Sequence, residues 1–306
     1  MDALRIENLS KSFGSLKVID NLSITVKENM ILGFIGKNGS GKTTTMKMIL
    51  GFIKPDTGHI TVCGEDVRYG STHTNRHIGY LPDVPEFYGY MTPKQYLNLC
   101  GKITGLTQER IAQKTEELLP IVGLDGVYRK IKGFSRGMKQ RLGIAQALFN
   151  EPRLLICDEP TSALDPAGRR EILDILKGMK KRTTIVFSTH ILSDVEQICD
   201  TIGILDCGRI VLEGMLSDMK GSYRDERLTI ELRNTEMLSF LKSRLQEMPE
   251  VKNITMEGSV IQLTTCDAET TGRSIVKILA ATEISLSKFE VMEPNLEQVF
   301  LGVVGK

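Results

Sequence analysis

The run Gly36-Lys37-Asn38-Gly39-Ser40-Gly41-Lys42-Thr43 constrains this chain more than any other stretch. It follows the apolar run Ile31-Leu32-Gly33-Phe34-Ile35 and leads into a helix-like run at residues 44–50. In the order strand, glycine loop, helix, the pattern G-x-x-x-x-G-K-[ST] is a phosphate cradle. Its glycines let backbone approach an anion, because no Cβ stands in the way. Successive N–H groups and the positive helix N-terminus then point at phosphate oxygens. Lys42 reaches the outer phosphates, and Thr43 can place its hydroxyl on Mg²⁺. The candidate nucleotide contacts are Gly36, Asn38, Gly39, Ser40, Gly41, Lys42, Thr43 and Thr44. The pattern alone fits an ATPase, a GTPase or a small-molecule kinase.

Around this loop the chain reads as strands alternating with helices. Residues 3–9 and 16–26 alternate apolar and polar side chains, the pattern of half-buried strands. A short strand at residues 59–62 follows the turn signals Pro55-Asp56 and Thr57-Gly58. From Thr92 the character turns helical. Thr92 is a good N-cap and Pro93 a good first residue. Tyr96, Leu97, Leu99, Cys100 and Ile103 then share one apolar face up to Gly105. A second helix through Ile111, Thr115, Leu118 and Leu119 is expected to end near Pro120. Together these form a helical insert over about residues 91–135. Helices at residues 137–149 and 166–180 alternate with apolar strands at 153–157 and 183–187, which predicts a parallel sheet and an α/β core. Two short strands flanking Asp206-Cys207-Gly208 read as a hairpin.

Past Gly221 the order changes to β-α-β-β-α-β, with strands at residues 228–232, 251–256, 260–264 and 284–291 and helices at 235–246 and 269–281. That is the split βαβ, ferredoxin-like order of a small α+β domain. A closing helix is expected at residues 295–303. The expected domains are residues 1–220 for nucleotide binding and 223–306 as an accessory domain.

A second apolar run, Leu154-Leu155-Ile156-Cys157, ends in Asp158-Glu159. A strand that delivers an acid beside the phosphate loop supplies a further Mg²⁺ contact, the role that fits Asp158. The next acid, Glu159, can orient and polarise an attacking water. The plainer alternative is that Asp158-Glu159-Pro160 caps a strand at a turn. Lysine and arginine total 39 against 38 aspartates and glutamates, for a formal net charge of +1, so the balance gives no case for nucleic acid as a partner. No stretch reaches the ~18 apolar residues of a membrane span, and the charged N-terminal residues do not read as a signal peptide. Any membrane role is expected to come through a partner. The 6 cysteines, Cys63, Cys100, Cys157, Cys199, Cys207 and Cys266, form no C-x-x-C pair, which argues for reduced thiols in a cytosolic setting.

Three more segments change the reading as a set: Phe134-Ser135-Arg136-Gly137-Met138-Lys139-Gln140-Arg141, then Asp158-Glu159-Pro160-Thr161-Ser162-Ala163-Leu164-Asp165-Pro166, then Ser188-Thr189-His190. With them the chain resembles the ATP-binding-cassette (ABC) ATPases over about residues 1–220. The resemblance implies a P-loop NTPase (RecA-like) core with an N-terminal antiparallel β subdomain and the helical insert, and ATP and Mg²⁺ as cofactors. It places Ser135 and Gly137 where the family's signature loop binds the γ-phosphate of nucleotide held by the opposite subunit. Residues 162–165, ending in Asp165, match the loop that crosses the dimer interface. His190 matches the switch histidine near the γ-phosphate, and Phe13 the aromatic that stacks on adenine. Lys42, Glu159 and His190 are then the expected catalytic residues, in a dimer with a second copy or a homologous ATPase subunit. The family implies integral membrane permease partners, an exporter role, and a peripheral position on the cytoplasmic face of the membrane. Phe87, Tyr88, Tyr90 and Tyr96 cluster where the insert would receive short permease helices.

Two motifs depart from the family pattern. The usual signature L-S-G-G-Q has Arg136 and Met138 in place of a Gly and the Gln, and the lid loop Tyr80-Leu81-Pro82-Asp83 has Asp83 where Gln is usual. Asp83 is a candidate metal-linked sensor; its alternative is a turn acid between Pro82 and Pro85. The last segment, residues 293–301, resembles the ending of ATPases from two-component exporters of drugs and peptide antibiotics. The rival readings are a non-transport ABC ATPase, a nucleotide-sensing regulator and a P-loop small-molecule kinase.

Overall fold

The computed structural model describes residues 1–222, 226–265, 267–282, 284–292 and 296–304. Cys266 and the Glu293-Pro294-Asn295 start of the closing segment lie outside the described residues. The chain divides into two units, Met1–Leu216 and Ser217–Lys306.

The first unit opens with a long antiparallel pair, β1 (Asp2–Phe13) and β2 (Leu16–Lys27). Next come β3 (Ile31–Ile35), α1 (Lys42–Ile49), β4 (Thr57–Val62), β5 (Glu65–Asp66) and β6 (Ile78–Leu81). The helical insert holds α2 (Pro93–Ile103) and α3 (Gln108–Ile121). The core resumes with α4 (Arg136–Leu148), β7 (Leu154–Asp158), α5 (Pro166–Met179), β8 (Thr184–Thr189) and α6 (Leu192–Ile198). The hairpin β9 (Thr201–Asp206) and β10 (Arg209–Met215) closes this unit; α7 (Leu216–Ser222) follows and, past Leu216, belongs to the second. Cys207 and Gly208, with φ of 46° and 78°, form the hairpin's two-residue turn, where positive φ matches the twist of the flanking strands.

Two sheets share this unit. One is antiparallel, in the order β2-β1-β4-β5. The other runs β10-β9-β3-β8-β7-β6, parallel except for the edge strand β10. Every residue of β3, β7 and β8 is buried, as expected of strands covered on both faces. Leu4, Ile6, Ile24 and Val26 of the first sheet share a core with Met46 of α1 and with Phe34, Ile156 and Val186 of the second. That shared core ties the antiparallel layer to the phosphate-loop helix.

The expected parallel sheet and helical insert are both present. As expected, α3 ends near Pro120: its last residue is Ile121, and Gly123 at φ 63° closes it. A proline in a last turn forfeits only its own N–H bond, and the left-handed glycine supplies the stop. Among the described residues, four elements have no counterpart in the sequence reading: β5, β6, α6 and α7.

The second unit contains β11 (Glu226–Leu232), α8 (Leu238–Gln246), β12 (Val251–Glu257), β13 (Val260–Thr265), α9 (Ala268–Ala281), β14 (Leu286–Met292) and α10 (Leu296–Val303). Its sheet order is β12-β13-β11-β14, with antiparallel neighbours throughout, the split βαβ arrangement. Leu228, Ile230, Leu241, Leu245, Ile261, Leu263, Ile275 and Leu279 form its core. Among the described residues, no helix is long and apolar enough to cross a membrane.

Candidate active site

Residues 36–41 wrap the carboxyl end of β3 and enter α1. Gly41 is the N-cap of α1 at φ 108°, and no side chain caps the helix. The first N–H groups of α1 are therefore free of a side-chain acceptor, which suits an anion. A Cβ on Gly36 would collide with Ser40 and fall 2.6 Å from the Leu205 carbonyl oxygen; one on Gly41 would collide with Ile19 and come 3.0 Å from the Val18 carbonyl oxygen. The loop thus packs too tightly for side chains at these two positions. Ser40 Oγ is buried with no hydrogen-bond partner. Lys42 is 5% exposed and donates from Nζ to the Gly36 carbonyl at 2.7 Å and the Lys37 carbonyl at 3.3 Å.

The acids arrive on β7. β8 lies between β3 and β7, so Ser188 of β8 can reach Asp158, and its Oγ donates to Asp158 Oδ1 at 3.1 Å. Burial pushes the Asp158 carboxyl above its ordinary pKa, while hydrogen bonds from Thr43 and Ser188 pull it back. Tyr80 of β6 is pushed up to about 12, by burial and then by the charges of Asp158 and Asp83. Glu159 leaves the strand in a left-handed turn, φ 49°, costly for a residue with a side chain. Its N–H donates to the Ser188 carbonyl at 3.0 Å. The turn directs its carboxylate between Lys42 and His190: Oε1 lies 3.3 Å from Lys42 Nζ, and Oε2 lies 2.8 Å from His190 Nδ1. Lys42, Glu159 and His190 therefore form one continuous chain across the carboxyl ends of three strands, where open α/β sheets place their ligands.

Phe13, Asn38, Gly39, Gly41, Lys42, Thr43, Thr44, Asp83, Asp158 and Glu159 line a single cleft of about 580 Å³. Phe13 is half exposed on its wall, with Lys11 Nζ 5.3 Å from the ring centre. Gly36 and Ser40 are buried within the loop, and His190 is exposed. Ser135, Gly137 and Asp165 do not line this cleft. Ser135 caps α4, its Oγ accepting from Met138 N at 3.3 Å, and Asp165 is the N-cap of α5. Among the described residues, no group of three or more His, Cys, Asp or Glu side chains is arranged to hold a metal.

The sequence reading missed Asp194 and Gln140. Asp194, on α6, is 2% exposed; Arg169 Nε stands 3.9 Å from Oδ1, and Oδ2 has no hydrogen-bond partner. Burial raises its pKa, against the pull of the Thr161 hydroxyl and of Arg169 and His190. The available signal was a carboxylate on the apolar face that Asp194, Val195 and Ile198 share. Gln140 is fully buried and donates to the Asp83 carbonyl at 2.6 Å.

Comparison with known proteins adds a family. The family described as "ABC transporter" matches residues 19–162, and the family described as "ATP-binding protein DrrA1-3-like, C-terminal domain" matches residues 214–304. The chain is 38% identical to the uncharacterized ABC transporter ATP-binding protein YxlF of Bacillus subtilis (strain 168), over 98% of this chain and 99% of that one. It is 35% identical to the bacitracin transport ATP-binding protein BcrA of Bacillus licheniformis, over 99% of this chain and 97% of that one. A solved ATP binding subunit of an ABC transporter superposes with a TM-score of 0.65 at 32% identity, covering 72% of this chain and 93% of that one. With a relative of this identity along nearly its whole length, the chain belongs to the ABC transporter ATP-binding proteins, the ATP-hydrolysing subunits of that family.

Proposed function

We propose that this chain is the ATPase subunit of an exporter, with residues 1–220 as its nucleotide-binding domain and 223–306 as an accessory domain. The observation that carries the hydrolytic reading is the position of Glu159, one carboxylate spanning Lys42 and His190 at the mouth of the cradle. A carboxylate there can take a proton from an attacking water. Lys42 and the amides of the loop hold the phosphates, Ser40 offers its unpartnered hydroxyl to them, and Phe13 stacks on the adenine. Thr43 and Asp158 would hold Mg²⁺, with Asp83 on the same cleft wall. When bound, Mg²⁺ neutralises charge on the phosphate oxygens. It commonly takes one or two carboxylates and fills its remaining positions with water and substrate oxygens, so one buried aspartate and a hydroxyl fit it.

Ser135, Gly137 and Asp165 serve the nucleotide of a partner ATPase subunit, a second copy or a homologue. Their absence from the cleft of their own chain supports that reading. ATP then closes a two-fold interface and hydrolysis opens it, the two-state element that drives separate permease subunits. The exposed Tyr88 and Tyr90, beside the Phe87–Tyr96 edge-to-face pair, offer an aromatic surface for permease docking. The bacitracin relative and the DrrA-like C-terminal match favour export.

Glu159→Gln is expected to bind ATP within about threefold of wild type and to lose roughly 100-fold or more in turnover, measured as phosphate release. Near-normal release would remove Glu159 as the base. Phosphate passed to an added acceptor instead of water would favour the kinase reading.

A further inference from the structure

Two of the residues that depart from the family pattern, Asp83 and Arg136, are in contact with each other. Arg136 Nη2 lies 3.1 Å from Asp83 Oδ1, and Gln140, one turn along α4, donates to the Asp83 main-chain carbonyl at 2.6 Å. Helix α4 therefore grips the lid residue twice. The buried Gln140 amide holds its backbone, and an ion pair holds its side chain. The ion pair is half exposed at both ends, 42% and 46%, so it contributes little to stability and breaks easily. Arg136 is also the first residue of α4, where the helix dipole disfavours a cation; the Asp83 carboxylate offsets that. Asp83 at the same time lines the cleft with Lys42, Thr43, Asp158 and Glu159, while Arg136 stands between Ser135 and Gly137.

We propose that Asp83 holds Arg136 in reserve. While the pair is made, Arg136 is neutralised. When the Asp83 carboxylate turns to the cation of its own cleft, Arg136 is released to face the phosphates of the nucleotide held by the partner subunit. Guanidinium is well suited to that contact, since its fork matches phosphate oxygens. Two substitutions that look like separate losses from the family pattern thus form one device: capture of the partner's nucleotide becomes conditional on metal and nucleotide in the chain's own cleft. The proposal rests on the dimeric reading above.

The test uses the full chain carrying Glu159→Gln, which slows consumption of the nucleotide. It reads the ATP concentration at half-maximal dimer by light scattering, with Mg²⁺ and with EDTA. In Mg²⁺, Arg136→Gln is expected to raise that concentration about fivefold. In EDTA, Asp83→Asn is expected to lower it about fivefold, because Arg136 is then free without the metal. The double variant is expected to match Arg136→Gln alone, because Asp83 acts only through Arg136. If Asp83→Asn in EDTA stays at or above the parent, or if the double variant keeps the low threshold of Asp83→Asn, the latch is overturned and the dimer stands. A parent that stays monomeric at every ATP concentration overturns the dimeric reading, and the latch with it.

Discussion

At the scale of single residues, the site keeps carboxylates where folding alone would not place them. Asp194 is the plainest case, a buried acid whose Oδ2 has no hydrogen-bond partner and whose pKa is raised first of all by burial. A folded-state pKa above the unfolded value means that the folded chain binds the proton more readily. The wild type is therefore most stable, relative to a neutral variant, at pH below the unfolded pKa, and it loses that advantage as pH rises through the raised value. Asp194→Asn is thus expected to melt a few degrees higher than wild type at about pH 8, with the gap closing as pH falls into the ordinary carboxylate range. Thermal unfolding across pH checks this. A variant that melts lower at every pH would show that the contacts of Asp194 with Arg169 and Thr161 outweigh the cost of its burial.

At the scale of elements, local chemistry and long-range contact differ in how far they can be read from sequence. The start of α2 was legible because Thr92 and Pro93 carry their own signals, and the structure adds the reciprocal bond: Gln95 N donates to Thr92 Oγ1 at 3.3 Å, and Thr92 N donates to Gln95 Oε1 at 2.9 Å. Thr92→Ala is expected to cost about 1 kcal/mol in denaturant unfolding and to leave ATP affinity unchanged, since the box lies in the helical insert. The phosphate loop and the acid-ending β7 were legible for the same reason, because each is a continuous run with its function written locally. β6 and α6 were not, being four and seven residues long, too short for a pattern to stand out. Nor was the grip of α4 on the lid, since Arg136 and Gln140 reach Asp83 across 53 and 57 residues of chain. The sequence showed that Asp83 and Arg136 depart from the family pattern; only the fold shows that they touch.

At the scale of the whole molecule, the account turns on an active site divided between two chains. Each chain gathers Lys42, Asp158, Glu159 and Asp83 on one cleft, while Ser135 and Gly137 at the start of α4 stay off it. The second unit has its own sheet and its own core, and its match to the DrrA1-3-like C-terminal family assigns that unit no part of the chemistry. The most direct test of the divided site is to mix two inactive chains, one carrying Lys42→Ala and the other Ser135→Arg, and to follow phosphate release as their ratio varies. In a mixed dimer both lesions fall on one composite site and the other is intact. Activity is therefore expected to peak at equal mixing, at about a quarter of the wild-type sites. Mixtures that remain as inactive as the separate chains at every ratio would contradict the divided site.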